Sequence, residues 1–217
     1  MSPILIISSG RSGSTTLLRI LNTFKGYNIK GENKDFVSNM IRAYDSILYT
    51  NRKHRYKTYR EYDRRRIKPC WYNSYNFEES KNNIKKTIKQ FLNREGAPVW
   101  GCKEIRFAEN RSYAEFKSNL KLFINLFPQT KIIFNIRENI NNQAKSAWFK
   151  DNPDSINILK EHKTYYDKFM EENPKRCIMV SLEDMINNTK NFQNMYKFLG
   201  QKFNKDAYSK IMKEKRE

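Results

Sequence analysis

Ile4-Leu5-Ile6-Ile7-Ser8-Ser9-Gly10-Arg11-Ser12-Gly13-Ser14-Thr15-Thr16-Leu17-Leu18 opens with a short apolar, β-branched run closed by two serines and a glycine. Such a run reads as a buried strand feeding a turn. Leu17, Leu18, Ile20, Leu21 and Phe24 then recur at helical spacing, with Ser14, Thr15 or Thr16 placed to cap the first turn and Gly26 ending the pattern. The unit is strand, glycine-bearing turn, helix. From Ser8 to Thr16 it offers two glycines for tight backbone, consecutive N–H donors at a helix start, several hydroxyls and one fixed cation, Arg11. That combination is suited to holding an anion.

The same alternation continues along the chain. Tyr27 to Lys30 is a short strand, and Phe36, Met40, Ile41, Tyr44 and Leu48 form a helical stripe to about Tyr49. Phe77, Ile84, Ile88, Phe91 and Leu92 mark a helix ended near Gly96 and Pro98, before a strand from Val99 to Lys103. A helix from about Tyr113 to Phe127 stops before Pro128. Lys131 to Ile136 is the clearest strand, followed by a helix to about Phe149 and another after Pro153. Cys177 to Ser181 is the last strand, and helices carrying Met195, Phe198 and Leu199 finish the pattern. Strands separated by helices predict an α/β fold, a parallel sheet of about five strands covered on both faces by right-handed crossovers. Residues 1–217 read as one domain, with no linker, repeat or composition break. Ligands of such sheets bind beyond the carboxyl ends of the strands, where Ser8 to Thr16, Lys103 and Arg137 emerge.

Composition narrows the classes. No stretch approaches a membrane span and no signal pattern is present, so a soluble, cytoplasmic protein is expected. Cys70, Cys102 and Cys177 are dispersed, without a CxxC pair or a histidine cluster, which predicts reduced structural thiols and no metal site. The formal charge of +19 favours anionic partners without choosing among them. Between Asn51 and Lys68, nine Lys or Arg stand against Glu61 and Asp63, interleaved with Tyr56, Tyr59 and Tyr62. This segment suits a lid over an anionic substrate, a solvated insertion, or a nucleic-acid grip by phosphate contacts and stacking.

The phosphate loop has two readings. In a nucleoside triphosphatase or kinase loop, GxxxxGK[ST], aligning Gly13 with the second glycine puts Ser14 where the lysine must stand, so the kinase lysine is missing. Arg11-Ser12-Gly13-Ser14-Thr15 instead resembles the 5′-phosphosulfate loop of sulfotransferases, [KR]SG[ST]T. Lys131-Ile132-Ile133-Phe134-Asn135-Ile136-Arg137, then Ala144-Lys145-Ser146-Ala147-Trp148, is similar to the second signature of that family. There a strand-end Arg and a helix Ser hold the cofactor's 3′-phosphate, a pairing of guanidinium fork and hydroxyl that suits a dianion. The serine falls nine residues after Arg137 instead of the usual eight, where Lys145 stands, so Ser146 and Lys145 share the assignment. Gly31-Glu32-Asn33, Trp71-Tyr72-Asn73, Gly101-Cys102-Lys103-Glu104-Ile105-Arg106-Phe107, Ser181-Leu182-Glu183-Asp184 and Phe198-Leu199-Gly200 extend the likeness to small bacterial-type sulfotransferases over nearly the whole chain.

The resemblance implies a transferase using 3′-phosphoadenosine 5′-phosphosulfate (PAPS, product PAP), no metal, and a hydroxyl or amine acceptor, a carbohydrate or small molecule. It assigns Arg11, Ser12, Gly13, Ser14, Thr15, Thr16, Arg137 and Ser146 to the cofactor. Arg11 would stabilise the leaving phosphate, with Lys103 as the candidate acid because arginine stays protonated. Glu32, twenty-one residues after Arg11, resembles the catalytic glutamate of glycan sulfotransferases, with His54 and His162 as rival bases. Lys103 and Ile105 should face one side of the strand end, Glu104 and Arg106 the other. A nucleotide kinase-like enzyme and a basic nucleic-acid-binding module are the alternatives, nucleic acid being the less favoured partner.

Overall fold

The computed structural model describes residues 2–55, 76–146 and 149–214. Strand β1 (Ser2–Ser8) is its centre. Its alternation sends Leu5 and Ile7 to one face and Ile4 and Ile6 to the other, and all four are buried. A strand apolar on both sides must be covered on both sides, and the remaining elements supply the cover.

The order along the chain is β1, α1 (Ser14–Leu21), β2 (Tyr27–Lys30), α2 (Phe36–Arg55), α3 (Phe77–Leu92), β3 (Val99–Glu104), α4 (Tyr113–Leu126) and β4 (Lys131–Ile136). It continues through α5 (Ile140–Ala144), α6 (Ser155–Glu172), β5 (Cys177–Ser181), α7 (Leu182–Asn187), α8 (Lys190–Leu199) and α9 (Lys205–Lys213). The five strands form one sheet in the order β2-β3-β1-β4-β5, every pairing parallel. Leu5, Ile7, Phe134 and Trp100 pack against α2, α3, α4 and α6, where Phe116, Tyr166 and Phe169 are buried. Ile4, Ile6, Ile133 and Val180 pack against α1, α7 and α8 through Leu17, Ile20, Met185, Phe192 and Met195. The connections leave β1 and β4 toward opposite edges of the sheet: that from β1 runs toward β2, that from β4 toward β5. The crevice between their carboxyl ends is therefore the expected ligand position of an open sheet.

The α/β class and the five parallel strands agree with the sequence reading; β1 extends beyond Ile4–Ile7 to Ser2 and Ser8, and β3 by one residue to Glu104. Three local expectations are revised. The hydroxyls at the start of α1 do not cap it: Gly13 is the N-cap, left-handed at φ +83°, with no side-chain cap. Helix α2 runs on to Arg55 and takes up the first residues of the basic segment. The helix after β4 ends at Ala144, not near Phe149, because the Ser146 N–H and hydroxyl both donate to the Gln143 carbonyl and close the turn. Residues 56–68 of the basic stretch, Trp71, Tyr72 and Trp148 lie outside the described residues, as does the side chain of His54. Among the described residues no helix is long and apolar enough to cross a membrane. Cys102 and Cys177 are free and buried, and burial pushes both thiols up to about 12.

One glycine sets the spacing of the sheet. Gly101 pairs with Ile4, and a Cβ there would stand 1.8 Å from the Ile4 carbonyl oxygen. Backbone cannot yield as a side-chain tip can. Gly101→Ala is expected to cost more than about 3 kcal/mol or to abolish soluble expression, measured by urea denaturation; stability within about 1 kcal/mol of the parent would contradict this packing.

Candidate active site

The loop between β1 and α1 is held from below by side chains of three other elements. The Ser12 hydroxyl donates to Asn135 Oδ1 at 2.9 Å, and Asn135 Nδ2 donates to the Val180 carbonyl at 3.0 Å, so β4 ties the loop to β5. Gln143 Nε2 of α5 donates to the Gly10 carbonyl at 2.6 Å. The Ser9 hydroxyl lies 2.9 Å from His162 Nδ1 and 3.4 Å from the Tyr166 hydroxyl, both on α6. With the Gly10 carbonyl and the Ser9 and Ser12 hydroxyls engaged in this way, the loop turns through left-handed Arg11 (φ +65°) and Gly13. Positive φ at a non-glycine residue is uncommon and concentrates at functional loops.

What the loop leaves open is its row of N–H groups. The Thr16 and Leu17 N–H groups donate to the Gly13 carbonyl, whereas those of Ser12, Gly13, Ser14 and Thr15 have no protein acceptor among the described residues. A helix start without a cap, with left-handed turns before it, is an anion cradle. Arg11, in the same turn, is exposed.

The second part of the site comes from β2 and β3. Lys103 shares the register of Ile6, which places it on the α1 face, and Glu104 shares that of Ile7 on the opposite face. The predicted alternation is observed for Lys103 and Glu104; β3 ends there, so Ile105 and Arg106 lie beyond the strand. Lys103 Nζ donates to Glu32 Oε1 at 2.5 Å and to Thr15 Oγ1 at 3.4 Å. Its side chain is 8% exposed and that of Glu32 42%, so a shielded ammonium meets a carboxylate open to solvent at the first turn of α1. The structure therefore brings Glu32, Lys103 and the loop together across seventy residues of sequence. Glu104 instead turns inward and accepts the N–H groups of Ile105 and Arg106 at 3.0 and 3.2 Å and that of Asn33 at 3.5 Å. It thereby fixes the segment that carries Glu32.

Arg137, just past β4, has its Nε buried without a hydrogen-bond partner among the described residues. It lines a cavity with Gln143 of α5 and Lys163 of α6. Lys145 and Ser146 do not line it: Lys145 is the exposed C-cap of α5, and the Ser146 hydroxyl is occupied by Gln143. His162 is buried, and burial holds its ring below the usual histidine range, which favours the neutral form. Its contacts make it a support of the loop. Asn135 was signalled in sequence only as a polar break in an apolar strand, and Gln143 carried no signal.

Residues 3–205 match the sulfotransferase family. The chain belongs to that family. Among solved structures, this sulfotransferase is similar to the sulfotransferase domain of the olefin synthase from Synechococcus PCC 7002, with TM-score 0.52 and 17% identity over 96% of this chain and 76% of that one. The likeness is one of fold. No curated protein matches the sequence.

Burial is the main influence on Glu104 and raises its pKa above the ordinary carboxylate value, against the lowering effect of the three N–H groups. A folded-state pKa above the unfolded one means stability is greatest at low pH and is lost as pH rises through the folded value. The stability of wild type minus that of Glu104→Gln should therefore fall as pH rises above the ordinary carboxylate value of 4.5, measured by urea denaturation. A difference that is flat or grows with pH would contradict the assignment.

Proposed function

We propose that this sulfotransferase takes its sulfuryl group from PAPS and delivers it to a hydroxyl or amine of a carbohydrate or small-molecule acceptor, the whole chain serving as one catalytic domain. The observation that carries the reading is the row of unclaimed N–H groups at the start of α1, with exposed Arg11 in the same loop and the Lys103–Glu32 pair at its edge. The residues fit a doubly anionic donor: one anion site at the uncapped helix, and a second cation, Arg137, with a buried donor atom lacking a partner among the described residues. When bound, PAPS supplies an activated sulfuryl group whose departure leaves negative charge on a phosphate oxygen.

The chain's own residues divide the remaining work. Ser12, Gly13, Ser14 and Thr15 direct N–H groups at the anion, and Ser14 and Thr15 add hydroxyls. Thr16 closes the first helical turn behind them. Ser12 contributes backbone only, because its hydroxyl is committed to Asn135. Arg11 and Lys103 place fixed positive charge where the leaving oxygen becomes anionic, which is electrostatic stabilisation that needs no reorganisation. Glu32, solvent-facing and hydrogen-bonded to Lys103, is positioned to take the acceptor's proton. Ser14 at the kinase-lysine position argues against a triphosphate-cleaving enzyme.

Calorimetric titration tests the donor. PAP should bind at micromolar concentrations or tighter without Mg²⁺, and ATP at least about tenfold more weakly; failure of PAP to bind overturns the reading. Glu32→Gln should reduce turnover by about 100-fold or more while PAP affinity stays within about threefold. Parental turnover in that variant removes Glu32 as the base.

A further inference from the structure

We infer that Lys163 of α6, and neither Ser146 nor Lys145, is the partner of Arg137 in binding the 3′-phosphate of the donor, and so decides between 3′-phosphorylated and unphosphorylated adenosine nucleotides. The inference rests on the donor reading above.

A phosphate monoester carries close to two charges, and one guanidinium leaves part of that charge and several acceptor lone pairs unmatched. The cavity at Arg137 must therefore offer more donors if it takes such a group. Gln143 lines it, but one N–H of its amide is given to the Gly10 carbonyl and the other carries no charge to match a dianion. Ser9 lines it, but its hydroxyl is engaged with His162 and Tyr166. Ser146 has turned its hydroxyl back on its own helix. Among the described residues that line the cavity, Lys163 is the remaining cation.

Helix register supports this placement. Leu159, Lys163 and Tyr166 line the cavity together, four and three residues apart, so one face of α6 forms its wall. That face is pinned, because His162 and Tyr166, also four apart, both reach Ser9 at the root of the phosphate loop. Sliding or rotating α6 would break these contacts. Lys163 Nζ is held at 2.7 Å from Asp167 Oδ2, one turn along, with both side chains about two-fifths exposed. An exposed pair of this kind is weak, so the ammonium can leave Asp167 for a dianion at little cost. The long α6 helix thus serves the cofactor site twice, through the loop contact and through the cation beside it.

The test compares PAP with adenosine 5′-monophosphate (AMP), which lacks the 3′-phosphate, by calorimetry on the full chain. Lys163→Ala should weaken PAP about tenfold and leave AMP within about twofold, so that the preference for PAP shrinks by the same factor. Lys163→Arg should keep the preference, and Asp167→Asn, which removes the ion pair but leaves the cation, should keep it too. A Lys163→Ala protein that retains the full preference, or that loses PAP and AMP equally, overturns the role of Lys163 while the donor reading stands. An Asp167→Asn protein that loses as much as Lys163→Ala overturns it as well, since the effect would then come from the helix. A wild-type protein with no preference for PAP overturns the donor assignment and this subsite with it.

Discussion

Everything at the site depends on a row of backbone N–H groups that the fold refuses to satisfy. Buried or half-buried backbone donors normally find partners, and a helix start normally recruits a side-chain oxygen for the purpose. Here the N-cap is a left-handed glycine, and no side chain caps the helix. The supporting contacts run the other way: Asn135, Gln143 and His162 engage the Ser12 hydroxyl, the Gly10 carbonyl and the Ser9 hydroxyl, while the N–H groups of Ser12 to Thr15 have no acceptor among the described residues. An anion of matching size is the partner that completes such a surface.

The Lys103–Glu32 pair adds direction to that surface. A shielded ammonium beside a carboxylate is not a strong source of stability, since desolvation offsets much of the attraction. Its value lies in placement, because the pair joins the ends of β2 and β3 to the first turn of α1 through Thr15. Glu104 secures the same junction from the opposite face, at the expense of a carboxylate that burial makes harder to ionise. Two acidic residues of one neighbourhood thereby take different tasks according to their exposure, Glu32 open and Glu104 enclosed.

Much of this was readable in sequence wherever local pattern decides structure. The β-branched runs at Ile4 to Ile7 and Lys131 to Ile136 defined the central strands because strands buried on both faces must be apolar throughout. Alternation along β3 separated Lys103 from Glu104 because side-chain direction in a strand depends on parity alone. Motif resemblance placed Glu32 with the loop although twenty-one residues separate it from Arg11. What failed was local hydrogen-bond competition: the capping of α1, and the early end of α5, depend on where single hydroxyls and one amide turn. What was invisible was long-range geometry. Lys163 stands in an amphipathic helix among other lysines, and nothing in its spacing indicates that it shares a cavity with Arg137.

On the proposed function, the unclaimed N–H groups at the start of α1 hold the 5′-phosphate end of the donor. A crystal structure with PAP bound tests it most directly. In that structure the 5′-phosphate oxygens are expected within hydrogen-bonding distance of the Gly13, Ser14 and Thr15 N–H groups, with Lys103 Nζ alongside. PAP bound with its 5′-phosphate away from this turn, or a loop whose N–H groups are satisfied by protein in the complex, would contradict it.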